Sequence, residues 1–312
     1  MTTPLAQCIG GVVPPMATPL SDNGSIDETS LLRLRDRLVQ GGVAGIFALG
    51  STGEASYLSN TSRRRVVDVL TTDDRPSVPL LVGIVEPTTI RVVEAAHALL
   101  NPNVDVVVAT GPFYAAASAR EITHHFEHVA RAVARPLLAY NIPSNVGYDL
   151  PAEVLVDLIE RGVVAGIKDS SANLAGFRRV VIAGSPASDI AYFSGSDGLL
   201  DAALHIGANG SVAGLANVAP ELFVQAVSAH RSGDLAALAT AQNRIVTLTG
   251  LYTIADEGAG LNSTQLGSIK TALKLQGVID SDQLSAPMQR SSASKTEAVR
   301  QTLAAADVSR VG

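Results

Sequence analysis

Lys168 is the residue in this sequence best placed to do chemistry. It closes the apolar run "VVAGIK", so its side chain is expected to point into a poorly hydrated interior. A lysine there loses hydration of its ammonium, which favours the neutral amine. A neutral amine attacks a ketone and forms a Schiff base, which then acts as an electron sink. The competing reading pairs Lys168 with the adjacent Asp169 as a structural ion pair, because buried lysines are rare unless paired. Tyr140 closes another apolar run, "PLLAYN". A phenol beside an imine can carry a proton to and from a substrate, although Tyr140 could also be a buried tyrosine with a satisfied hydroxyl. Ser51, Thr52 and Gly53 make a tight polar turn in "GSTGE". Its hydroxyls and backbone N–H groups suit a carboxylate; equally, the turn could cap a helix, with Glu54 close by.

These residues need a scaffold that brings strand ends together. Eight short apolar segments recur along the chain: "GVVPPMATPL", "AGIFALG", "PLLVGI", "VDVVVAT", "PLLAYN", "VAGIKD", "AYFSGSD" and "GSVAGL". Continuous apolar runs of this kind suit strands buried on both faces, as in a parallel sheet. Amphipathic segments of helical period separate them, among them "TTIRVVEAAHALL" and "REITHHFEHVARAVA", and glycines close several, as helix C-termini prefer. Eight β-then-α units predict an α/β fold of the (β/α)₈ TIM-barrel type. An open doubly wound sheet is the rival, but it carries a glycine-rich phosphate loop after its first strand, where this chain has "PPMATPL". The barrel is expected over residues 1–232. Beyond it, residues 233–312 read as a helical C-terminal extension packed on the barrel, with "DSDQLSAPMQRSSASK" as a polar, extended connector between its last two helices.

Composition narrows the function classes. Hydrophobic residues make up 46% and aromatics only 4%, so a large core must be built from small and branched aliphatic side chains. The formal charge is −6, and the longest basic run, Arg63-Arg64-Arg65, reads as a solvated helix face, which argues against a nucleic-acid partner. No apolar run reaches the length of a membrane helix. With one cysteine, Cys8, no intrachain disulfide can form, and the start "MTTPLAQCIGG" lacks a basic segment followed by an apolar one. A cytoplasmic protein is expected.

In a barrel, function gathers at the C-terminal ends of the strands. Those ends carry Ser51 and Thr52, Tyr114 in "ATGPFY", Tyr140, Lys168 in "GIKDSS", and Gly195 and Asp197 in "SGSDG". In this order and spacing, "GSTGE", "GPFY", "YNIPSNVG", "GIKDSS" and "GSDG…GANGSVAGLANVAPE" resemble the pyruvate-dependent class I aldolases of the dihydrodipicolinate synthase and N-acetylneuraminate lyase family, from about Gly11 to the C-terminal helices. The resemblance implies a lyase with Lys168 as the imine-forming lysine on pyruvate and Tyr140 as general acid/base. It implies Ser51 and Thr52 as the carboxylate-binding pair, with Ser51 also in a proton relay. Tyr114 would be a relay tyrosine lent across a tight dimer interface, and Gly195 and Val212 the floor of the pyruvate site. It further implies a homotetramer built from two dimers, and no metal or organic cofactor beyond the covalent imine.

The chain departs from the strict synthase at one informative position. There the family carries an arginine five residues after the tyrosine, to hold the carboxylate of aspartate semialdehyde; here stands Asn145. A neutral amide does not replace a charged two-pronged fork. The sugar-binding Glu that follows the strand-end Asp in sialic-acid lyases is Gly198 here, while Ser170 keeps the family's hydroxyl. Asn145, Ser170 and Asp197 would line a neutral to mildly acidic pocket suited to a hydroxylated aldehyde, so the expected substrate is a 2-keto-3-deoxy sugar acid or a related 2-oxo acid with a polar tail. A synthase proper, a keto-deoxy acid dehydratase and a non-catalytic family member are the alternatives. Pro87 and Arg91 stand where the family's lysine-feedback site uses Asn and Glu, so no lysine inhibition is expected. His124 and His128 share a helix face and could hold a metal, but no third ligand is evident and a solvated face is expected. His97, His205 and His230 read as structural. The glycine-rich "GANGSVAGLANVAPE" could cradle a phosphate, but the resemblance implies a pyruvate-site lining instead.

Overall fold

The computed structural model describes residues 5–72, 75–184 and 189–308; the last four residues of the expected extension lie outside them. Seven parallel strands form one sheet in sequence order: β1 (Ile46–Ala48), β2 (Leu80–Ile84), β3 (Val106–Thr110), β4 (Leu137–Asn141), β5 (Gly166–Asp169), β6 (Ala191–Ser194) and β7 (Gly210–Ser211). A helix follows each strand, and every residue of every strand is buried. That burial on both faces is what the continuous apolar runs require. Side chains alternate along each strand. Phe47, Leu81, Val108, Leu138, Tyr140 and Phe193 pack together on one face. Ile84, Val107, Ala109, Ala139 and Ile167 pack on the other, against the helices.

The expected first strand is the exception. Residues 11–16 make only isolated parallel bridges, Val12 with Ser211 of β7 and Pro15 with Phe47 of β1. Val13 N–H donates to Ser211 O at 2.8 Å, and Met16 N–H to Phe47 O at 2.8 Å. Pro14 and Pro15 have no N–H to donate, so a regular ladder cannot form there.

Helix boundaries follow local capping. Ala119–Val133 opens with a capping box, in which Glu121 N–H donates to Ser118 Oγ at 3.3 Å and Ser118 N–H to Glu121 Oε2 at 2.8 Å. Pro220–Ser232 stops at Gly233, which takes the left-handed φ of 75°. Among the described residues, three α-helices follow with no further strand: Leu235–Leu248, Leu261–Leu275 and Ala293–Ala305. The connector before the last is extended and partly buried. Asp282 and Leu284 are buried, and Asp282 accepts from Lys274 Nζ at 3.0 Å and from Arg290 Nε at 2.5 Å. No helix among the described residues is long and apolar enough to cross a membrane.

One surface reading needs correction. Within the arginine run only Arg64 and Arg65 face solvent, bonded to Asp68 at 2.9 Å and Glu28 at 2.6 Å. Arg63 is buried and donates to the buried Glu86 at 2.6 Å, because three successive helical residues cannot share one face. His124 and His128 are exposed as expected, and among the described residues no group of three or more His, Cys, Asp or Glu is placed to hold a metal. His125 between them is buried, its Nε2 at 3.1 Å from Thr110 O and its Nδ1 at 2.9 Å from Thr89 Oγ1. Burial pushes His125 down to about 4 from 6.5, with the nearby His128 adding to the fall and the Thr110 carbonyl opposing it. Between these values the unfolded chain binds a proton that native His125 refuses. Stability is therefore lost as pH falls from 6.5 towards 4, by about 3 kcal/mol for this group. Urea unfolding of the wild type and of His125→Gln at pH 7 and pH 4.5 checks this: the variant should lose less stability over that interval.

Candidate active site

The β4–β5 register pairs Tyr140 with Lys168 directly across the ladder. Both point to the face that carries Phe47 and Phe193, where Lys168 Nζ lies 3.9 Å from the centre of the Tyr140 ring and 5.0 Å from that of Phe47. Lys168 is 3% exposed and Tyr140 3%. Asp169 follows Lys168 in the strand and so faces the opposite side. It accepts instead from Asn141 Nδ2 at 2.8 Å and Ser171 Oγ at 2.7 Å. The structural pairing of Lys168 with Asp169 is therefore not made.

Lys168 and Tyr140 border a cavity of about 330 Å³, which Ser51, Thr52, Asn145 and Ser170 also line. Gly195, Asp197 and Val212 complete the predicted set on its wall. Ser51 and Thr52 lie in a turn, not at a helix start: the next helix, Asn60–Leu70, begins later and is capped by Ser59, whose Oγ accepts from Ser62 N–H at 3.1 Å. Gly195 donates its N–H to Asp169 O at 2.6 Å, and a side chain there would collide with the Ser170 hydroxyl. Asn145 sits in the short helix Pro143–Val146, exposed at the mouth. Tyr114 is the one predicted residue left outside. It is fully exposed, holds a left-handed φ of 75°, and lines a separate apolar surface groove with Ile90, Phe113 and Ala117.

Burial pushes the Tyr140 phenol up, but the Lys168 ammonium and hydrogen bonds with Lys168, Ser51 and Ser170 outweigh it and leave Tyr140 below its ordinary value. The opposite holds at Asp197. Burial raises it to about 6, against the bonds its Oδ1 accepts from Leu215 N–H and its Oδ2 from Tyr252 Oη, both at 3.0 Å. Both oxygens of Asp197 are thus engaged by protein.

Sequence reading missed the contribution of the C-terminal helices. Tyr252, Asn262, Gln265 and Leu266 line the cavity, and Asn262 Nδ2 donates to Tyr57 Oη at 2.6 Å at its mouth. The same Tyr57, Asn262, Ser144 and Asn145 border a second, polar cleft of about 1030 Å³. No local pattern marks these residues, since their partners lie as far as 205 positions away in the chain.

A buried amine against a phenol whose ionisation is favoured, in a cavity walled by hydroxyls, can form and turn over an imine. Comparison with known proteins gives this arrangement a lineage, since the profile described as "Dihydrodipicolinate synthetase family" matches residues 8–306. The chain belongs to the dihydrodipicolinate synthetase family. Among its relatives there, the probable 2-dehydro-3-deoxy-D-pentonate aldolase YjhH of Escherichia coli is 30% identical over 78% of this chain and 82% of its own. The 4-hydroxy-tetrahydrodipicolinate synthase of Nitrobacter hamburgensis is 33% identical over 85% and 86%. A crystal structure of YagE, a prophage protein of the dihydrodipicolinic acid synthase family from E. coli in complex with pyruvate, superposes with a TM-score of 0.90 at 25% identity, covering 96% of this chain and 99% of that one. Relatives named as a probable aldolase and as a synthase thus both match this chain, and its α/β fold is that of the family.

The Tyr140 environment is open to measurement. In ¹³Cζ-tyrosine NMR titrations, Lys168→Met should raise the Tyr140 pKa most, and Ser51→Ala and Ser170→Ala should each raise it less. Unchanged titration in Lys168→Met would show that the charge of Lys168 does not govern the phenol.

Proposed function

We propose that this protein is a class I lyase/aldolase that joins pyruvate reversibly to a polar, hydroxylated aldehyde, with a 2-keto-3-deoxy sugar acid as the combined form. One observation carries the reading: Lys168 Nζ lies 3.9 Å from the centre of the Tyr140 ring, at the wall of one cavity. Lys168 attacks the keto carbon of pyruvate, and loss of water leaves the iminium. In cleavage the same iminium is formed with the 2-keto-3-deoxy acid: Tyr140 removes the proton of its C4 hydroxyl, the C3–C4 bond breaks, and the electrons move into the imine to give a free aldehyde and the enamine, which is protonated at C3 and hydrolysed to pyruvate. Condensation runs the same steps backwards. The imine is itself the electron sink, so the mechanism calls for no metal or organic cofactor.

Ser51 and Thr52 take the pyruvate carboxylate, above a floor made by Gly195 and the Val212 backbone. The aldehyde extends past Ser170 towards Asn145. The engaged oxygens of Asp197 favour a supporting part for that residue, with its remaining lone pairs turned to substrate hydroxyls. The full exposure of Tyr114 on an apolar groove supports its use in a partner subunit's site, within a homotetramer of paired dimers. We read the bridged segment 11–16, hydrogen-bonded to β7 and β1, as the eighth position of a (β/α)₈ barrel, with the helices beyond residue 233 as its extension. The neutral Asn145 sets the substrate apart from aspartate semialdehyde, the acceptor of a synthase proper.

Borohydride reduction in the presence of pyruvate, followed by mass spectrometry, should place the adduct on Lys168, and Lys168→Ala should show none. Absence of an adduct in the wild type would sink the mechanism. Tyr140→Phe should slow turnover by roughly 10²–10⁴-fold, the usual worth of a general acid/base. A screen of aldehydes with pyruvate, and of keto-deoxy acids alone, should give its highest kcat/KM with sugar-derived substrates. If aspartate semialdehyde proves best the protein is a synthase, and loss of water without C–C cleavage would make it a dehydratase.

A further inference from the structure

The turn that carries Ser51 and Thr52 is held by a buried ion pair from the other end of the chain. Glu54, two residues after Thr52, is 0% exposed, and Lys270 of the Leu261–Leu275 helix is 1% exposed; their side chains form an ion pair. Glu54 Oε2 also accepts from Ser285 N–H at 2.7 Å, and Lys270 Nζ donates to Gln283 O at 2.8 Å. On its far side the turn is pinned by Thr18 Oγ1, which donates to Gly53 O at 2.8 Å. Neither Glu54 nor Lys270 borders the cavity.

Stability is a poor reason for such a pair. Removing two charges from water is costly, and apolar replacements of similar volume are often as stable. Burial even pushes the Lys270 ammonium below its ordinary value, against the pull of Glu54. What the pair does specify is geometry. Leu49 and Glu54 both hold a left-handed backbone, at φ of 57° and 58°, a conformation that is costly for a non-glycine residue. A turn with strain at both ends keeps one shape only if its surroundings impose it. Between those two residues lie the hydroxyls and N–H groups facing the cavity.

We propose that the Glu54–Lys270 ion pair is a positioning device, through which the C-terminal helices set the Ser51–Thr52 turn in the geometry that receives the substrate carboxylate. The proposal rests on the reading of that turn as the pyruvate carboxylate site. Glu54 and Lys270 are positioning residues, touching no substrate. Loss of the pair therefore weakens recognition of the carboxylate and leaves the chemistry at Lys168 intact.

The test compares pyruvate with pyruvamide, which keeps the ketone and lacks the charge. The double variant Glu54→Gln/Lys270→Met removes both charges at similar volume and leaves no lone buried ion. Rates of borohydride trapping against ketone concentration should show a half-saturating pyruvate concentration raised about tenfold, a maximal rate changed less than about threefold, and pyruvamide trapping unaltered. Lys270→Arg keeps the charge at a different reach. It supplies the same readout if the double variant does not fold. Equal losses for pyruvate and pyruvamide, or no loss for either, would overturn the proposal. Failure of the wild type to form an adduct would instead remove the imine reading beneath it.

Discussion

Parallel pairing makes neighbours of residues that the chain keeps far apart, and the β4–β5 register does this for Tyr140 and Lys168. The rest of the site is arranged around that contact. An ammonium in a poorly hydrated place needs compensation, and here aromatic faces supply part of it, with Nζ over the rings of Tyr140 and Phe47. The same positive charge draws the phenol towards its ionised form, against the effect of burial. The amine therefore tunes the phenol, and the contact would be lost if the ladder slipped by one residue, since a slip sends a side chain to the opposite face.

Around this pair the polar groups fall into two kinds. Ser51, Thr52 and Ser170 present hydroxyls to the cavity. Asp197, Tyr252, Glu54 and Lys270 spend their polarity on one another and on backbone, so that they fix walls. A buried polar group without a partner is costly, and a satisfied network rigidifies what it joins. Both networks tie the sheet's loops to the C-terminal helices, Glu54 to Lys270 of Leu261–Leu275 and Asp197 to Gln242 of Leu235–Leu248 and to Tyr252 just beyond it. Those helices are consequently part of the cavity rather than an outer layer, and Tyr57 with Asn262 forms its rim from both sides of that junction.

Tyr114 marks another division in the molecule. Its strained, fully exposed backbone position and the apolar groove beside it belong to a surface separate from the cavity. Strain of this kind persists only where surroundings impose it, and among the described residues nothing covers the side chain. The cavity itself holds the amine, the phenol and the hydroxyls in a single chain.

The alternation of apolar runs and amphipathic segments, Lys168 and Tyr140 at strand ends, and the polar turn at Ser51 and Thr52 were all determined by sequence alone. Each is a local pattern, set by side-chain period and turn chemistry within a few residues. Tertiary structure decided the rest. It turned Asp169 away from Lys168, buried Arg63 within a run of three arginines, and reduced the proline-bearing first segment to isolated bridges. It also joined Asp197 to Tyr252 and Glu54 to Lys270, pairings that no periodicity announces. A side chain's partner across the chain depends on how whole elements pack, and that packing has no signature in the residues next to it.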